Sequence, residues 1–294
     1  TIKKLTGKSY VERTLIKAIK HDIAIYAIHT NLDNVSTGVN SKLAEVLDLK
    51  KLNILKPKSS GLAKLVTFSP QPDTDKVLNA LYQAGAGSIG NYEDCSFTTP
   101  GTGSFKPNQQ ASPHLGSKGQ LEQVNENRIE VILPQHLKNQ VISALKEAHP
   151  YEEVAYYFQH LGNENQEVGS GMVGWLEDPM SPVDFLEFLK SKINIPYLRH
   201  TQIGSNQIEK VGICGGAGSF LTKTAIAKSC DAFVTSDLKY HEFFDADSNL
   251  LLVDIGHYES EVFTKDLLCD AIKKKFSKFA VRLSKTDTNP IRYF

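Results

Sequence analysis

The stretch LLLVDIGHYESE, residues 250–261, contains the transition that decides the fold. Its first four apolar residues are typical of a strand that is buried on both faces. The apolar run then gives way to glycine, histidine and acids, and a helical pattern follows over residues 262–276. We therefore predict a buried strand that delivers polar side chains to one edge of a sheet.

His257 and Glu261 lie four residues apart in this stretch. If the first helical turn includes both, they project from one face and can share a metal ion. Imidazole with carboxylate suits zinc, manganese or iron better than calcium, which prefers more oxygen ligands. The alternative is that the pair merely caps the start of a helix.

Two other apolar runs end in a similar way. Residues 23–28 precede His29 and Asp33, and residues 231–235 precede Asp237 and His241. Strands and helices alternate through the last third of the chain, which favours a mostly parallel sheet in an α/β domain. Since ligands gather at the carboxyl ends of parallel strands, we expect all three groups of side chains at one edge.

These residues predict a metal-dependent active site. Oxygen and imidazole donors on short tethers make Asp33, His257 and Glu261 the metal-ligand candidates. His29 and His241 are the proton-transfer candidates, because imidazole titrates near neutral pH. A metal with open coordination positions activates water, so hydrolysis or a ring-opening hydration is the expected chemistry. A serine-histidine-aspartate site is less favoured, since the chain has no G-x-S-x-G motif.

An internal repeat occupies the middle of the chain. The strand pattern at 65–70 and the helix pattern at 75–84 recur at 129–134 and 139–148, an offset of 64 residues from Pro70 to Pro134. Each copy is half of a β-α-β-β-α-β, or ferredoxin-like, domain. Residues 50–61 lack periodicity, and we interpret them as a linker. The predicted division is 1–60 and 164–294 for a split α/β domain, with 61–163 as the inserted α+β domain.

Two motifs leave alternatives open. The glycine-rich turn at 210–219 can bind an anion at the start of a helix or can serve tight strand-helix packing alone. The segment 149–153, His-Pro-Tyr-Glu-Glu, is either a structural turn or part of a small-ligand or interface site.

The composition narrows the kinds of partner. Lys and Arg together number 33, as do Asp and Glu, so the chain lacks the charge excess of a nucleic-acid or membrane-surface binder. No run of about twenty apolar residues and no signal-peptide pattern is present. The four cysteines show no CxxC spacing, which favours reduced thiols in a cytoplasmic protein. We expect a small-molecule substrate, with no membrane and no nucleic acid as partner.

Four separated motifs carry a family resemblance: AIYAIHTNLDNVSTGVN (24–40), VGICGGAGSFL (211–221), SDLKYHE (236–242) and DIGHYESE (254–261). They resemble the GTP cyclohydrolase I type 2 homologue family, also called the Ngg-interacting-factor-three-like family. The repeat-bearing segment resembles the CutA-like insertion of some bacterial members. The resemblance therefore covers nearly the whole chain.

The resemblance implies a dinuclear metal site in which Asp33 bridges the ions and His257 and Glu261 are terminal ligands. It implies two divalent ions per chain in the complete protein, zinc first, with iron or manganese as alternatives, and a homo-hexameric ring. The family pattern also has a His-His pair, which this chain lacks. Either the protein continues upstream of Thr1 or the chain binds metal weakly.

Two functions are consistent with this resemblance. One is a metal-dependent hydrolase or cyclohydrolase that acts on a nucleotide-like or phosphate-containing substrate. The other is a non-catalytic regulatory or scaffold metalloprotein whose ring and insert bind a partner or small effector. Ferredoxin-like domains support the second reading by fold analogy only.

Overall fold

Two sheets, of six and four strands, organise the chain in this computed structural model, which describes residues 2–59 and 61–292. The helices in these ranges are α1 (Tyr10–Lys20), α2 (Thr30–Asp33), α3 (Val39–Val46), α4 (Thr74–Gln83), α5 (Lys138–Ala148), α6 (Pro182–Ile193), α7 (Thr222–Ala227), α8 (His257–Glu261) and α9 (Thr264–Lys275). The strands are β1 (Lys50–Lys58), β2 (Leu62–Pro70), β3 (Ser96–Phe105), β4 (Glu122–Pro134), β5 (Tyr156–His160), β6 (Asn165–Met180), β7 (Arg199–His200), β8 (Ile208–Ala217), β9 (Ala232–Ser236) and β10 (Leu251–Asp254).

The six-stranded sheet has the order β1-β6-β8-β9-β10-β7. Strands β8, β9 and β10 run parallel, whereas the other three neighbouring pairs are antiparallel. The prediction of an α/β fold is confirmed, but the sheet is mixed and the prediction of a mostly parallel sheet is wrong. The strands that alternate with helices near the end of the chain, β8 to β10, do pair in parallel. The antiparallel pairs involve β1, β6 and β7, whose neighbours in the sheet the alternation does not predict.

The three parallel strands form the centre of the large sheet's core. Every residue of β9 and β10 is buried, which confirms the buried strand predicted from residues 250–253. One face packs on a core that includes Leu43 of α3 and Phe185 of α6. The opposite face packs on Leu221, which precedes α7, and on Ala225 within α7. This double-sided burial makes the carboxyl ends of β8 to β10 a rigid platform.

Two local predictions are wrong. Residues 23–28 form no strand, and Tyr26 within them is 86% exposed, because the described chain gives this apolar run no strand to pair with. Residues 50–58, interpreted as a linker, form edge strand β1, which pairs with β6. The lysines of β1, which made it resemble a linker, are typical of edge strands, where charge opposes pairing with other chains.

The four-stranded sheet has the order β3-β4-β2-β5, and all its neighbouring strands are antiparallel. With α4 and α5 the chain order is β-α-β-β-α-β, that of the split-βαβ motif. Positions related by the repeat are buried alike: Val77 and Val141 are fully buried, as are Leu81 and Leu145. The repeat therefore reflects two equivalent strand-helix halves that share one core.

Strands β2 to β5 lie within residues 61–163, while the division of the chain into domains stays a prediction. Thr1, Ser60 and Phe294, which are boundary residues of the predicted domain segments, lie outside the described residues. Within those residues all four cysteines are free thiols. None of the described helices combines the length and the apolar character that crossing a membrane requires.

His149 ties the end of α5 to the four-stranded sheet through a ring that is only 6% exposed. Its Nδ1 accepts the Tyr151 amide at 3.1 Å, so its Nε2 must donate to the Phe68 carbonyl, 2.8 Å away. The folded state thus holds a neutral imidazole, and burial lowers the pKa of His149. Since the unfolded state binds the proton more readily, His149 makes folding less favourable as pH falls below about 6.5.

We predict that His149→Gln weakens the acid-side loss of stability. The wild-type free energy of unfolding should fall faster than that of the variant from about pH 6.5 downward. Near pH 8 the variant should be less stable by about 1–3 kcal/mol, because two buried hydrogen bonds are disturbed. Urea denaturation across this range measures both quantities. His136→Gln, at an exposed position of the same unit, is the control, and equal pH slopes for wild type and His149→Gln would refute the prediction.

Candidate functional site

The candidate site lies where parallel strands β8, β9 and β10 end side by side. Asp237 follows β9 directly, and Gly256 and His257 follow β10 after one intervening residue. Asp237, Gly216 and Gly256 all have positive φ, at 57°, 65° and 89°. These sharp reversals turn the chain at the sheet edge and bring side chains from different strands together.

His257 is the centre of a three-residue chain of polar contacts. Its Nδ1 lies 2.6 Å from Oδ2 of Asp237, and its Nε2 lies 3.4 Å from Oε2 of Glu261. Helix α8 begins at His257, so His257 and Glu261 occupy one face, one turn apart, as predicted. Asp237 thus fixes the ring plane, and the second ring nitrogen points to a carboxylate.

Glu261 experiences the other members of the cluster electrostatically. Burial raises the pKa of Glu261, His257 lowers it, and the neighbouring carboxylate of Asp33 raises it again. His29 is close enough to Glu261 to lower this pKa. The loop before α2 and α2 itself therefore bring His29 and Asp33 to the ends of the parallel strands, although residues 23–28 form no strand.

Asn40 holds α2 against the sheet. Its side chain is 2% exposed; Nδ2 donates to the Asp33 carbonyl at 2.9 Å, and Oδ1 accepts the Gly215 amide at 2.9 Å. This single amide therefore connects the segment carrying Asp33 to the end of β8. Sequence reasoning missed Asn40, although it closes the motif 24–40.

Asp254 connects the turns that carry Asp237 and His257. Its buried carboxylate accepts the amides of Leu238 and Gly256, each at 3.0 Å, and pairs with Arg199. The accepted amides belong to the residue after Asp237 and the residue before His257. Asp254 therefore sets the spacing between Asp237 and His257 through the backbone beside each of them. The sequence did not indicate this role, because Asp254 follows directly on an apolar run.

Ser260 joins α8 to β8 in a similar way. Its hydroxyl donates to the His257 carbonyl at 2.8 Å and accepts the Gly216 amide at 2.9 Å. A Cβ on Gly216 would lie 2.5 Å from Oε1 of Glu261, and φ there is positive, so glycine is required. The close approach of this turn fixes Glu261 beside the sheet edge.

The glycine-rich turn at 210–219 serves tight packing. A Cβ on Gly218 would lie 2.4 Å from Oγ1 of Thr235. The hydroxyl of Ser219, beside the turn, donates to Glu242 at 3.1 Å, so a carboxylate already occupies the position next to it. Of the two alternatives left open by the sequence, the contacts favour packing over an anion site.

The two proton-transfer candidates differ in position. His29 lowers the pKa of Glu261. His241 is exposed in the short helical turn Tyr240–Ala246 and lowers the pKa of Glu242. Within residues 2–59 and 61–292, His241 forms no hydrogen bond or ion pair with His257 or Glu261. Of the five predicted site residues, His257 and Glu261 are in direct contact, and Asp33 and His29 influence the pKa of Glu261.

The donors in the described ranges do not form a complete metal site. No group of three or more His, Cys, Asp or Glu side chains there is gathered tightly enough to hold an ion. His257 and Glu261 fit as two ligands by type and approach, with Asp33 nearby. Burial, with Asp33 and Glu261, raises the pKa of the bordering Cys214 to about 12, so this thiol stays protonated.

A segment near the end of the chain borders the site, which sequence reasoning did not anticipate. Residues 284–291 and helices α8 and α9 enclose a cavity of about 480 Å³, with His257, Glu261 and Lys265 in its wall. Asn289 donates to Oε1 of Glu259 at 2.9 Å and holds the segment on α8. The cluster therefore opens into a space large enough for a small molecule.

A family model and two curated proteins each match nearly the whole chain. The family model of Duf34/NIF3 (NGG1p interacting factor 3) matches residues 1–290. A Halalkalibacterium halodurans protein named GTP cyclohydrolase 1 type 2 homolog is 40% identical over 96% of this chain and 77% of its own length. A Bacillus subtilis protein of the same name is 38% identical over 100% and 80%.

Two solved structures are also similar. A Bacillus cereus protein related to NIF3 has a TM-score of 0.85 at 36% identity, over 100% of this chain and 80% of that one. A Staphylococcus aureus protein has a TM-score of 0.74 at 28% identity, over 100% and 78%. The fold described above is therefore shared by experimentally determined relatives.

Proposed function

Because the chain belongs to the Duf34/NIF3 (NGG1p interacting factor 3) family, whose curated relatives are named GTP cyclohydrolase 1 type 2 homolog, we propose that it is a metal-dependent hydrolase of the cyclohydrolase type. Its substrate would be nucleotide-like or phosphate-containing. The reaction would add water across a C–N bond, as in opening the imidazole ring of a purine.

The arrangement of His257 is the observation that carries this proposal. Asp237 orients the ring through Nδ1, and Nε2 faces Oε2 of Glu261 at 3.4 Å. Two acceptors that face each other require a shared cation, either a proton or a metal ion. Carboxylate, histidine and metal in this order are a recurring arrangement, in which the carboxylate fixes the tautomer and strengthens the ligand.

His257, Glu261 and Asp33 are the residues that would hold metal, with two ions per chain in the complete protein. Zinc suits this donor set, with iron or manganese as alternatives. When bound, such an ion lowers the pKa of a coordinated water and polarises the substrate oxygen. The packing by Asn40, Asp254 and Ser260 supports a geometry that is preorganised for this task.

The histidines supply proton transfer. His29 lowers the pKa of Glu261, which supports the role of its imidazole in this proposal. In this role His29 takes a proton from the attacking water and returns it to the leaving nitrogen. His241 is the second candidate, and its exposed position requires a movement of the turn Tyr240–Ala246.

One observation favours a second candidate function, a non-catalytic regulatory or scaffold metalloprotein. The four-stranded unit, which we propose is a CutA-like insertion, has a cavity of its own of about 700 Å³. In this second candidate function the metal centre stabilises a homo-hexameric ring, and the insertion binds a partner or a small effector. The cavity is compatible with both candidates, since an effector can also regulate an enzyme.

A turnover assay separates the two candidates. The chain is incubated with zinc, manganese or iron(II) and with GTP, other nucleotides and phosphate esters, and products are followed by chromatography. We expect metal-dependent turnover of at least one compound, reduced by more than about a hundredfold in both Asp33→Ala and His257→Ala. The exposed His200→Ala is the control. Equal turnover in the wild type and both variants, or none with any metal, would eliminate the hydrolase proposal.

A further inference from the structure

A second cavity lies in the four-stranded unit. Its volume of about 700 Å³ is within the range of small-molecule sites. Its walls come from the ribbon of β3 and β4, the connecting segment 106–121, and the turn after α5. The motif 149–153, for which the sequence left a small-ligand role open, contributes Tyr151, Glu152 and Glu153.

The floor of this cavity is the face of the sheet that the helices leave uncovered. Along β4, Ile129, Val131 and Leu133 point into the core with α4 and α5, so Glu126 and Arg128 point the other way. Glu126 is nevertheless only 8% exposed. No ion pair neutralises it within residues 2–59 and 61–292, and an unpaired buried carboxylate is costly.

Two glycines of β3 border this carboxylate, which itself fills the space at Gly103. Gly101 lies opposite Glu126 in the register, and a Cβ on Gly103 would lie 2.0 Å from Oε2 of Glu126. A Cβ on Gly101 would meet no atom within 4 Å, because it would point into open space. Glycine within a strand often marks a close approach by a ligand or another backbone.

A buried hydroxyl lies beside the carboxylate. The Tyr151 hydroxyl is fully enclosed but makes no well-formed hydrogen bond with another described residue. Burial raises the pKa of Tyr151, and so do the hydrogen-bonding approach and the charge of the Glu126 carboxylate beside it, so the phenol keeps its proton. The cavity thus offers an acceptor at Glu126, with the Tyr151 hydroxyl directly beside it.

Aromatic rings form the sides of the cavity. Phe105 and His114 lie 5.9 Å and 6.2 Å from Tyr151 between ring centroids, and Phe68 lies 5.8 Å from Tyr157. The Ser112 amide donates to Oε1 of Glu152 at 2.7 Å and fastens segment 106–121 across the opening. The enclosure is therefore built by specific contacts between elements distant in sequence.

The charges of the lining favour a cation. Three carboxylates border the cavity, those of Glu126, Glu152 and Glu153. The cations in the wall are Lys106 and Arg128, and Arg128 pairs at 2.8 Å with Glu130, a carboxylate outside the wall that also pairs with Lys64. Aromatic faces also attract cations, and more strongly when the cation is desolvated.

We propose that this cavity binds a small planar organic cation of the amidine or guanidine class. Its N–H donors would bind the Glu126 carboxylate, and its flat body would pack against the rings of Phe68, Phe105 and Tyr151. A paired N–H edge matches a carboxylate with two parallel hydrogen bonds. This site is distinct from the strand-end cluster and does not depend on the proposed hydrolase function.

Benzamidine is the probe, and benzamide, of the same shape but neutral, is its matched comparison. By isothermal titration calorimetry, benzamidine should bind the wild type at least about tenfold more tightly than benzamide. Glu126→Gln should weaken benzamidine binding by at least about tenfold while leaving benzamide nearly unchanged. Glu147→Gln, an exposed carboxylate on α5, removes the same charge and should change neither affinity.

Gly101→Leu fills the cavity while keeping the Glu126 carboxylate, and it keeps the test decisive if Glu126→Gln folds poorly. This variant should abolish binding of both compounds, and circular dichroism confirms its fold. Three results would overturn the proposal: no benzamidine binding by the wild type up to about 10 mM, equal affinity for benzamidine and benzamide, or undiminished binding by Gly101→Leu.

Discussion

Replacing His257 by alanine should weaken zinc binding by more than about a hundredfold. Removal of a group that only orients a metal ligand costs about 10–100-fold in affinity, so removal of a ligand itself should exceed that range. Competition with a chromophoric chelator at constant pH measures the affinity. Asp237→Asn keeps the size of the side chain but weakens its contact with Nδ1 of His257. This variant should lower zinc affinity by about 10–100-fold.

The control for this series is His200→Ala, an exposed histidine on edge strand β7. It removes one imidazole from the chain but none from the site, so it should bind zinc as the wild type does. If His257→Ala and His200→Ala lowered the affinity equally, binding would be adventitious and the role assigned to His257 would be wrong.

Asp254→Ala should destabilise the chain by about 2–4 kcal/mol, because two enclosed amide donors lose their acceptor. These are the Leu238 and Gly256 amides, which the Asp254 carboxylate accepts at 3.0 Å. The loss of the Arg199 pair should add little, since Arg199 is 60% exposed. Urea denaturation measures the change in unfolding free energy.

Asp254→Ala should also lower zinc affinity, although Asp254 is not a proposed ligand. The turns that carry Asp237 and His257 would lose their common support, and ligands without support bind metal about 10–100-fold less tightly. Asp245→Ala, an exposed carboxylate before β10, should change neither stability nor affinity. Wild-type stability in Asp254→Ala would show that the two amides find other acceptors.

The sequence predicted the parts of the fold that local patterns specify. The repeated strand-helix halves follow from the periodicities of 3.6 and 2, and the buried strand β10 follows from an unbroken apolar run. Pairing is not local, and there the predictions were wrong. Residues 23–28 resemble a strand but have no partner in the described chain, whereas lysine-rich β1 gains its structure from β6.

The candidate site shows the same division. His257 and Glu261 were identifiable because their spacing of four has meaning once α8 begins at His257. Asn40, Asp254 and Ser260 were missed because each acts by hydrogen bonds to backbone groups of another element, a contact that no spacing encodes. His241 carried a suggestive motif, but its turn places it beside Glu242 instead of the cluster.

The most direct test of the metal-site proposal is a crystal structure of the zinc-soaked chain, with anomalous differences recorded on both sides of the zinc edge. We predict a peak within about 2.0–2.2 Å of Nε2 of His257 and of a carboxylate oxygen of Glu261, with Asp33 drawn toward it. A fully occupied peak elsewhere, with His257 still facing an unliganded Glu261, would contradict the proposal that these strand ends form a metal centre.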